Sequence, residues 1–252
     1  MTNPMDLTGK IILVTGASSG IGKSTAIHLS KLGAQVIIVS RNVEKLQNTL
    51  LQMDGLKHSI YPFDLKNIDQ IEDLIEKIVS QEDKLNGFVH CAGVQDMRPL
   101  QMTKYSFIHD IMLTNLYAFI ELSRVIAKKN NHTENASFVA ISSVRSYRGE
   151  KSITAYCASK GALDSAIRAM AKELAIKHIR INSVVPGFIK TEMVDAYIES
   201  TGYEEFNKNV LANQYLGLGD TIDVANAVAY LLSDASKLIT GTGLIVDGGY
   251  LS

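Results

Sequence analysis

The sequence lacks the features that would place the chain in a membrane or on a nucleic acid. Its formal net charge is -1, from 25 basic and 26 acidic residues mixed along 252 positions, which leaves no basic stripe for nucleic acid and no polybasic membrane anchor. No segment approaches the run of about 18 apolar residues that a membrane span requires. Residues 1–10 are polar and lead into only five apolar-type residues, too few for the apolar region of a secretory signal.

Cysteine and linker sequences are also scarce. Cys91 and Cys157 are the only cysteines, and they provide neither a disulfide framework nor the spacing of a zinc or C-x-x-C redox site. We therefore expect a reducing cytoplasm and no metal. Hydrophobic residues make up 46% of the chain, enough for a buried core, and no Pro- or Gly-rich stretch divides it. One continuous domain over residues 1–252 is predicted.

Short apolar runs alternate with longer stretches of helical pattern. Runs rich in valine and isoleucine without polar alternation indicate strands covered on both faces. Strands that alternate with helices predict an α/β fold with a doubly wound parallel sheet and right-handed crossovers. The predicted strands cover residues 11–15, 35–40, 58–62, 87–90, 137–141, 179–185 and 244–246.

The predicted helices between these strands cover residues 20–32, 68–78, 105–128 and 155–177. Gly33 follows the first helix as its expected stop. The polar residues 130–135 are predicted to form a surface loop before a strand. Residues 190–219 follow a strand and contain three glycines, and we expect them to form a mobile helical lid over a pocket.

Three glycines lie between the first strand and the first helix, in the run Thr-Gly-Ala-Ser-Ser-Gly-Ile-Gly at residues 15–22. Gly16 would permit the tight turn, Gly20 would let the backbone approach a phosphate, and Gly22 would let the helix pack closely. The pyrophosphate of a dinucleotide would face free N–H groups at the positive helix end. A purely structural turn is the alternative, and the position between a strand and an amphipathic helix favours the dinucleotide.

Two further positions bear on the choice of dinucleotide. Ser40 and Arg41 end the second strand, where an acidic residue would be expected to bind the ribose of NAD. An arginine can pair with a 2′-phosphate, which favours NADP(H); NAD, with a merely solvated arginine, is the alternative. Asp64, which precedes Leu65 after the third strand, either accepts a hydrogen bond from the adenine amine or caps the next helix.

A tyrosine and a lysine supply the candidate chemistry. Tyr156 and Lys160 lie four residues apart in a predicted helix and share one face, and Ser143 ends the fifth strand. A phenol can donate its proton to a carbonyl oxygen as hydride reaches the carbon, and a nearby ammonium favours the phenolate needed in reverse. Ser143 would hold the same oxygen. The pair alone is common by chance, but its combination with Ser143 and the glycine turn indicates an oxidoreductase.

A longer set of short motifs surrounds these residues. It comprises residues 15–22, Asp64 and Leu65, Cys91, Ala92 and Gly93, Asn115, Ile141, Ser142 and Ser143, Tyr156, Cys157, Ala158, Ser159 and Lys160, and Pro186, Gly187 and Thr191. Over this set, and from Thr8 to the Asp-Gly-Gly run at residues 247–249, the chain resembles the short-chain dehydrogenase/reductase family. The resemblance implies a single Rossmann domain of about seven parallel strands, with helices on both faces.

The resemblance also implies a role for each matching position. Tyr156 would be the general acid/base, Ser143 would orient the substrate oxygen, and Lys160 would bind the nicotinamide ribose and tune the tyrosine. Asn115 would position a proton-relay water. The implied cofactor-binding residues are Gly16, Ser18, Ser19, Gly20, Ile21, Gly22, Ser40, Arg41, Asp64, Leu65, Cys91, Ala92, Gly93, Tyr156, Lys160, Pro186, Gly187, Ile189 and Thr191, the last four on the nicotinamide side.

One position departs from the family pattern. The family usually has asparagine where this chain has Cys91, so a hydrogen-bonding amide that steadies the central sheet is lost. Because His90 precedes Cys91, a nucleophile or metal ligand is conceivable. Adjacent residues on a strand point to opposite faces, however, and buried cysteine is commonly a small apolar side chain, so we interpret Cys91 as packing. Cys157 is interpreted in the same way.

Within the family, the general pattern is closest to 3-oxoacyl-[acyl-carrier-protein] reductases, notably at residues 187–193 and 224–231. The expected activity is therefore NADP(H)-dependent reduction of a 3-oxoacyl thioester or related small ketone. Lys177 matches a basic position that receives the carrier protein, whereas Glu134 falls near the other such position, which argues against a carrier. Reduction of a sugar or polyol is the rival activity. A non-catalytic nucleotide-binding regulator ranks far behind, because the catalytic set is undamaged.

Substrate choice is expected to lie in loops at residues 95–102, 145–151 and 193–216. Arg145, Arg148 and Lys151 would meet an anionic substrate, or would simply be solvated. Members of the family commonly form tetramers or dimers through the long helices at residues 105–128 and 155–177, so a homo-oligomer is expected.

Overall fold

One parallel sheet organises the part of the chain that the structure, a computed structural model, describes: residues 3–55 and 57–252. The first two residues of the polar stretch 1–10 lie outside it. The strand order is β3-β2-β1-β4-β5-β6-β7, and every pairing is parallel. This confirms the predicted fold class. The strands are β1 (Ile11–Thr15), β2 (Gln35–Ser40), β3 (Ser59–Pro62), β4 (Leu85–His90), β5 (His132–Ile141), β6 (Arg180–Pro186) and β7 (Gly243–Val246).

Helices cover both faces of the sheet. They are α1 (Gly20–Lys31), α2 (Val43–Leu50), α3 (Ile71–Glu82), α4 (Tyr105–Met112), α5 (Ala118–Ile126), α6 (Thr154–Leu174), α7 (Glu192–Thr201), α8 (Tyr203–Phe206) and α9 (Thr221–Leu232). Helices α3, α5 and α6 pack on one face, and α1, α2 and α9 pack on the other. Within the described residues, no helix is both long enough and apolar enough to cross a membrane.

Two hydrophobic cores follow from the alternation of side chains along each strand. On β1, Leu13 enters the core beneath α3, α5 and α6, whereas Ile12 and Val14 enter the core beneath α1, α2 and α9. All three side chains are buried, which explains the absence of polar alternation in the sequence. A third cluster joins α7 and α8 to the end of β6 and to Tyr250, and the ring centroids of Phe188 and Tyr250 are 5.5 Å apart.

Local signals explain the bounds of the helix that follows β1. Helix α1 ends at Lys31, and Gly33 then adopts a φ of +88°, a left-handed conformation that glycine takes without strain. A Cβ at Gly33 would also overlap the Thr8 hydroxyl, so glycine is needed on two grounds. The predicted helix stop is confirmed.

The prediction of a surface loop at residues 130–135 was wrong for residues 132–135, whereas residues 130 and 131 form a turn. Strand β5 begins at His132, which pairs with Leu85, and the Leu85 N–H donates to the Asn131 carbonyl over 3.0 Å. Asn135 has a φ of +61° where the register between β4 and β5 shifts. Backbone pairing with β4 therefore extends this strand through polar residues that local composition assigns to a loop.

The predicted helix at residues 105–128 is interrupted. A π-helical segment at Leu113–Tyr117 separates α4 from α5, and α5 ends at Ile126. The predicted helix at residues 155–177 becomes α6 followed by a 3₁₀ turn at Ala175–Lys177. Helices α2 and α9 were not predicted. Residues 190–219 contain α7, α8 and a second π segment at Asn207–Leu211.

Candidate active site

A cleft of about 810 Å³ opens at the carboxyl ends of the strands, where the chain order reverses between β1 and β4. Open α/β sheets bind their ligands at such a switch point. Most of the predicted cofactor-binding residues line this cofactor cleft: Gly16, Ser18, Ser19, Gly20, Ile21, Gly22, Ser40, Arg41, Asp64, Leu65, Cys91, Ala92, Gly93 and Thr191.

The backbone of the glycine turn leaves no room for side chains at two of its three positions. Gly16 has a φ of +68°, and a Cβ there would lie 2.6 Å from the Ala92 nitrogen. A Cβ on Gly22 would overlap the Gly16 carbonyl oxygen. At Gly20, with a φ of +51°, the nearest atom to a Cβ would be a Thr191 methyl at 3.4 Å. The turn therefore packs α1 tightly against itself and leaves open space beside Gly20, as a pyrophosphate requires.

The outer end of the cleft carries cationic and polar side chains. The Ser40 hydroxyl is buried, and none of the described residues offers it a hydrogen-bond partner. Arg41 is exposed beside it, and Asn42 and Lys45 also line the cleft. The Asn42 side chain accepts from the Lys45 N–H over 2.8 Å and so caps α2. Two cationic side chains, Arg41 and Lys45, therefore stand at this end of the cleft.

Asp64 does not cap the next helix, so that alternative is wrong. The 3₁₀ turn before α3 has Asn67 in the capping position, and α3 has Gln70. Asp64 instead accepts from the Lys66 N–H over 3.1 Å and lines the cleft. Residues Phe63 to Asn67 form a short loop, so Asp64 lies too far before α3 along the chain to cap that helix.

The four predicted catalytic residues lie beyond Gly93, at what we call the chemical end of the site, and not in the wall of the cleft. A Cβ on Gly93 would lie 3.4 Å from the Lys160 Nζ and 3.6 Å from the Asn115 Oδ1. Helix α6 carries Tyr156 and Lys160 on its buried face. Ser143 follows β5, and Asn115 lies in the π segment between α4 and α5. Four separate segments therefore converge at one point.

Burial changes the ionisation of both groups on α6. Lys160 is 3% exposed, and its Nζ donates to the Ile141 carbonyl over 2.7 Å. Burial lowers the pKa of Lys160 to about 8, and the Asp164 carboxylate opposes that fall. Burial raises the pKa of Tyr156 to about 12, while the Ser143 hydroxyl opposes that rise. The Tyr156 phenol is therefore protonated at neutral pH.

Asn115 is completely buried, and protein groups occupy its side chain. The Oδ1 accepts from the Val94 N–H over 2.8 Å, and the Nδ2 donates to the Val94 carbonyl and to the Ser159 hydroxyl. These bonds join the loop after β4 to α6. A water at this position would therefore have to use the main chain of the π segment, a feature often found at functional sites.

His90 and Cys91 point to opposite faces, as predicted. His90 packs on Phe119 with ring centroids 5.6 Å apart, and its Nε2 donates to the Thr114 carbonyl. Cys91 packs against the core beneath α1 and α9. Burial lowers the pKa of His90 to about 3 and raises the pKa of Cys91 to about 12, so both stay neutral. Both cysteines are free thiols, and in the described part of the chain no cluster of potential metal ligands occurs.

The predicted nicotinamide-side residues lie at the end of β6 and in the segment that follows it. The Gly187 N–H donates to the Val246 carbonyl over 3.0 Å, and a Cβ on Gly187 would lie 2.5 Å from the Gln214 Oε1. Ile189 is buried, and Thr191 precedes the first residue of α7 and lines the cleft. Pro186, the last residue of β6, pairs with β7 and lies outside the cleft wall.

Arg145 was expected to be either solvated or facing substrate, and the structure shows that it is not solvated. It is 6% exposed, its guanidinium lies over the Phe188 ring at 5.1 Å, and it donates to the Glu150 carboxylate and the Tyr250 hydroxyl at 3.3 Å. Its backbone N–H donates to the Ser143 hydroxyl. Arg145 therefore joins the loop after β5 to the cluster beneath α7.

Sequence reasoning missed several residues of the cleft. Lys45 had a usable signal, because it lies four residues after Arg41 at the start of a helix. The others depend on loops that meet only in the fold. The missed lining residues are Asn42, Lys45, Phe63, Lys66, Val94, Phe107, Asp110, Ile111 and Thr114; Asp96, Arg98, Glu192 and Met193 also line the cleft and lie in the predicted substrate loops and lid.

Comparison with known proteins agrees with this geometry. Residues 16–251 match the model of the family described as enoyl-(acyl carrier protein) reductase. The 3-oxoacyl-[acyl-carrier-protein] reductase FabG of Thermotoga maritima is 32% identical over 248 residues, covering 97% of this chain and 99% of that one. L-Xylulose reductase of Caenorhabditis elegans is 33% identical, with 97% of each chain covered. 5-Keto-D-gluconate 5-reductase of Escherichia coli K12 is 31% identical and covers 100% and 99%.

Solved structures have the same fold. A candidate short-chain alcohol dehydrogenase of Sinorhizobium meliloti 1021 superposes with a TM-score of 0.92 at 30% identity, over 99% of each chain. A candidate 2-deoxy-D-gluconate 3-dehydrogenase of Agrobacterium tumefaciens, solved with bound NADP, gives a TM-score of 0.88 at 27% identity, also over 99% of each chain. By sequence and by fold, the chain belongs to the short-chain dehydrogenase/reductase family of oxidoreductases, which act on a carbonyl or alcohol group with NAD(P).

Proposed function

We propose that the protein is an NADP(H)-dependent oxidoreductase that reduces a 3-oxoacyl thioester or a related small ketone. The observation that carries the proposal is the convergence of Tyr156, Ser143 and Lys160 just beyond Gly93, next to a cleft whose outer end presents Arg41 and Lys45. The non-catalytic regulator is disfavoured, because all four residues of the catalytic set are present and converge.

Each residue at the chemical end has a chemical task in this proposal. The bound dinucleotide would supply the hydride. Tyr156 donates its phenolic proton to the substrate oxygen, and the Ser143 hydroxyl holds that oxygen. The charge of Lys160 stabilises the phenolate that is left, and Asn115 holds the loop at Val94 beside them. In the direction of alcohol oxidation, the same phenolate accepts the proton.

The cofactor preference follows from the outer end of the cleft. Arg41 and Lys45 suit a 2′-phosphate, and position 41, where a carboxylate would bind a plain ribose, is an arginine. The name of the Agrobacterium tumefaciens structure, which includes bound NADP, supports this choice. We expect KM for NADPH to be at least about tenfold lower than KM for NADH, since a charge-assisted hydrogen bond contributes about 1.5–3 kcal/mol. Equal or reversed values would contradict the preference.

Reduction of a polyhydroxy ketone is the second candidate, and two observations favour it. The Lys177 Nζ donates to the Ala127 carbonyl over 2.9 Å, so the lysine expected to meet a carrier protein is already engaged. The cleft beside Val94 carries Asp96 and Arg98, which suit hydroxylated substrates better than an acyl chain. The names of the Caenorhabditis elegans and Escherichia coli relatives point the same way.

A panel of ketones separates these candidates. Acetoacetyl thioesters, L-xylulose, 5-keto-D-gluconate and cyclohexanone would each be tested with NADPH and NADH, following absorbance of the reduced nicotinamide. A kcat/KM for thioesters at least about tenfold above that for keto sugars supports the first candidate, and the reverse ranking supports the second. NADPH binding without turnover of any ketone would favour the regulator.

The assembly, the lid and the location also belong to this proposal. We infer a homo-oligomer that uses α4, α5 and α6, because Tyr105 on α4, Tyr117 in the π segment and Ile120 on α5 are exposed. Light scattering that gives a monomer mass would contradict it. Residues 190–219 would act as the substrate lid of one domain, since Val194, Tyr197, Phe206 and Val210 pack in one cluster with Val144, the neighbour of Ser143. The two free thiols accord with a reducing cytoplasm.

A further inference from the structure

Helix α6 contains a buried carboxylate to which the proposed mechanism gives no task. Asp164 is 7% exposed and lies one helical turn beyond Lys160. Its Oδ2 accepts from the Ser142 hydroxyl and its Oδ1 accepts from the Ser183 hydroxyl, both over 2.8 Å. Both carboxylate oxygens are therefore held from the sheet, one by the residue that follows β5 and one by a residue on β6.

These bonds connect the two halves of the chemical end. Ser142 is the neighbour of Ser143, and the residue before it, Ile141, accepts from Lys160. Ile141 and Ser142, at the end of β5, are thus hydrogen-bonded to side chains on two successive turns of α6. These two ties hold the end of β5 against α6, beside the direct hydrogen bond between the Ser143 and Tyr156 side chains, and so help to fix the position of Ser143 relative to Tyr156.

Asp164 also provides a counter-charge that no other neighbour provides. The titratable groups facing Lys160 are Tyr156 and Asp164 on its own helix, and His90 and Cys91 at the end of β4. Burial raises the pKa of Tyr156 and of Cys91 to about 12 and lowers that of His90 to about 3, so these three are uncharged at neutral pH. Among the residues that the structure describes, Asp164 is left as the one anion beside the buried ammonium.

We propose that Asp164 is a positioning residue of the active site, which holds Ser142, and through it Ser143, against α6 and keeps Lys160 protonated. It acts through these partners and does not touch the reacting atoms. The inference rests on the proposed function, because the ties matter only if Ser143, Tyr156 and Lys160 perform the chemistry.

Three substitutions separate the charge from the hydrogen bonds. Asp164→Asn removes the charge and keeps an amide that can bond to both hydroxyls. Ser142→Ala removes the tie to β5 and keeps the charge. Ser183→Ala is the matched control, since it removes an equally short bond to the same carboxylate from β6, which carries neither Ser143 nor Tyr156.

The pH profile of kcat for ketone reduction is the first measurement. With Asp164→Asn, we expect the alkaline limb to move down by about one pH unit or more, since a neighbouring opposite charge shifts a pKa by about 1–3. Ser142→Ala should lower kcat at every pH without moving the limb. Ser183→Ala should leave both nearly unchanged. An Asp164→Asn profile that coincides with the wild type, or equal effects of the two serine substitutions, would overturn the inference.

Urea unfolding at a series of pH values tests the charge without cofactor or turnover. Because the pKa of Lys160 in the folded chain lies below its ordinary value, the unfolded chain binds more protons between about pH 8 and 10.5, and stability rises with pH across that window. Asp164→Asn should extend the rise to lower pH, and Ser183→Ala should not. If the wild type reduces no ketone but this extension is seen, the proposed function fails while the counter-charge stands. If ketones are reduced normally and the extension is absent, the charge assignment fails alone.

Discussion

The cofactor cleft and the chemical end of this site are built by different means. At the glycine turn the backbone makes the site, because a Cβ on Gly16 or Gly22 would meet main-chain atoms. At the chemical end side chains make it, through buried bonds of Lys160, Asn115 and Asp164. The first region is therefore sensitive to added atoms, and the second is sensitive to a lost polar partner.

The largest expected effect lies at the chemical end. Tyr156→Phe keeps the ring and removes the proton donor, so kcat should fall by about 10² to 10⁴, the usual contribution of a general acid. NADPH affinity, followed by nicotinamide fluorescence, should change little. The matched control is Tyr61→Phe, which removes another buried hydroxyl, one bonded to Gln81, and should retain turnover. A Tyr156→Phe enzyme with a tenth of wild-type kcat would reject the assignment.

The next largest effect is expected at the glycine turn, where the backbone forms the site. Gly22→Ala should destabilise the fold by about 1–3 kcal/mol, because the added methyl overlaps the Gly16 carbonyl and forces the turn to move. NADPH affinity should fall at least about tenfold, or 1.4 kcal/mol. The control is Gly161→Ala in α6, where nothing lies within 4 Å of the new Cβ. That change should stabilise the helix by about 0.5–1 kcal/mol. Urea unfolding would measure the stability of the two variants, and NADPH titration would measure their cofactor affinity. Equal changes in Gly22→Ala and Gly161→Ala would contradict a special requirement for glycine in the turn.

A smaller effect is expected at the outer end of the cleft, where side chains contribute to cofactor binding. Arg41→Ala should raise KM for NADPH by about tenfold, through loss of a charge-assisted hydrogen bond worth about 1.5–3 kcal/mol. KM for NADH serves as the internal control and should hold steady. Lys45→Ala should act in the same direction but more weakly, since a lysine lacks the planar fork of arginine. Parallel changes for both cofactors would show that Arg41 does not bind a 2′-phosphate.

The smallest effect is expected at Cys91, a residue of the cofactor cleft whose side chain contributes only packing. Cys91→Ala should leave kcat within about threefold of wild type and reduce stability by about 1 kcal/mol, because one buried sulfur is lost. Thermal unfolding and steady-state kinetics would measure these changes. The buried thiol has a pKa raised to about 12, so no nucleophile is removed. A much larger loss of kcat would give Cys91 a chemical task.

Prediction from sequence succeeded where the pattern is local and failed where partners are distant. The runs that became β1 and β2 were predicted to the residue, because both faces of these strands are buried and their composition is uniform. The start of β5 was missed, because residues 132–135 are polar and gain their strand geometry from β4. The π segment at Leu113–Tyr117 gave no recognised signal, since its pattern continues that of a helix.

The amino-acid order alone determined the elements that need only neighbours along the chain: the glycine turn, and the shared helical face of Tyr156 and Lys160. Tertiary structure alone decided how those groups ionise and what holds them. Asp164 meets Ser142 and Ser183 from positions 22 and 19 residues away, and no local periodicity encodes that meeting. The depth at which Lys160 is buried likewise depends on the packing of several segments, and desolvation is the largest influence on its pKa.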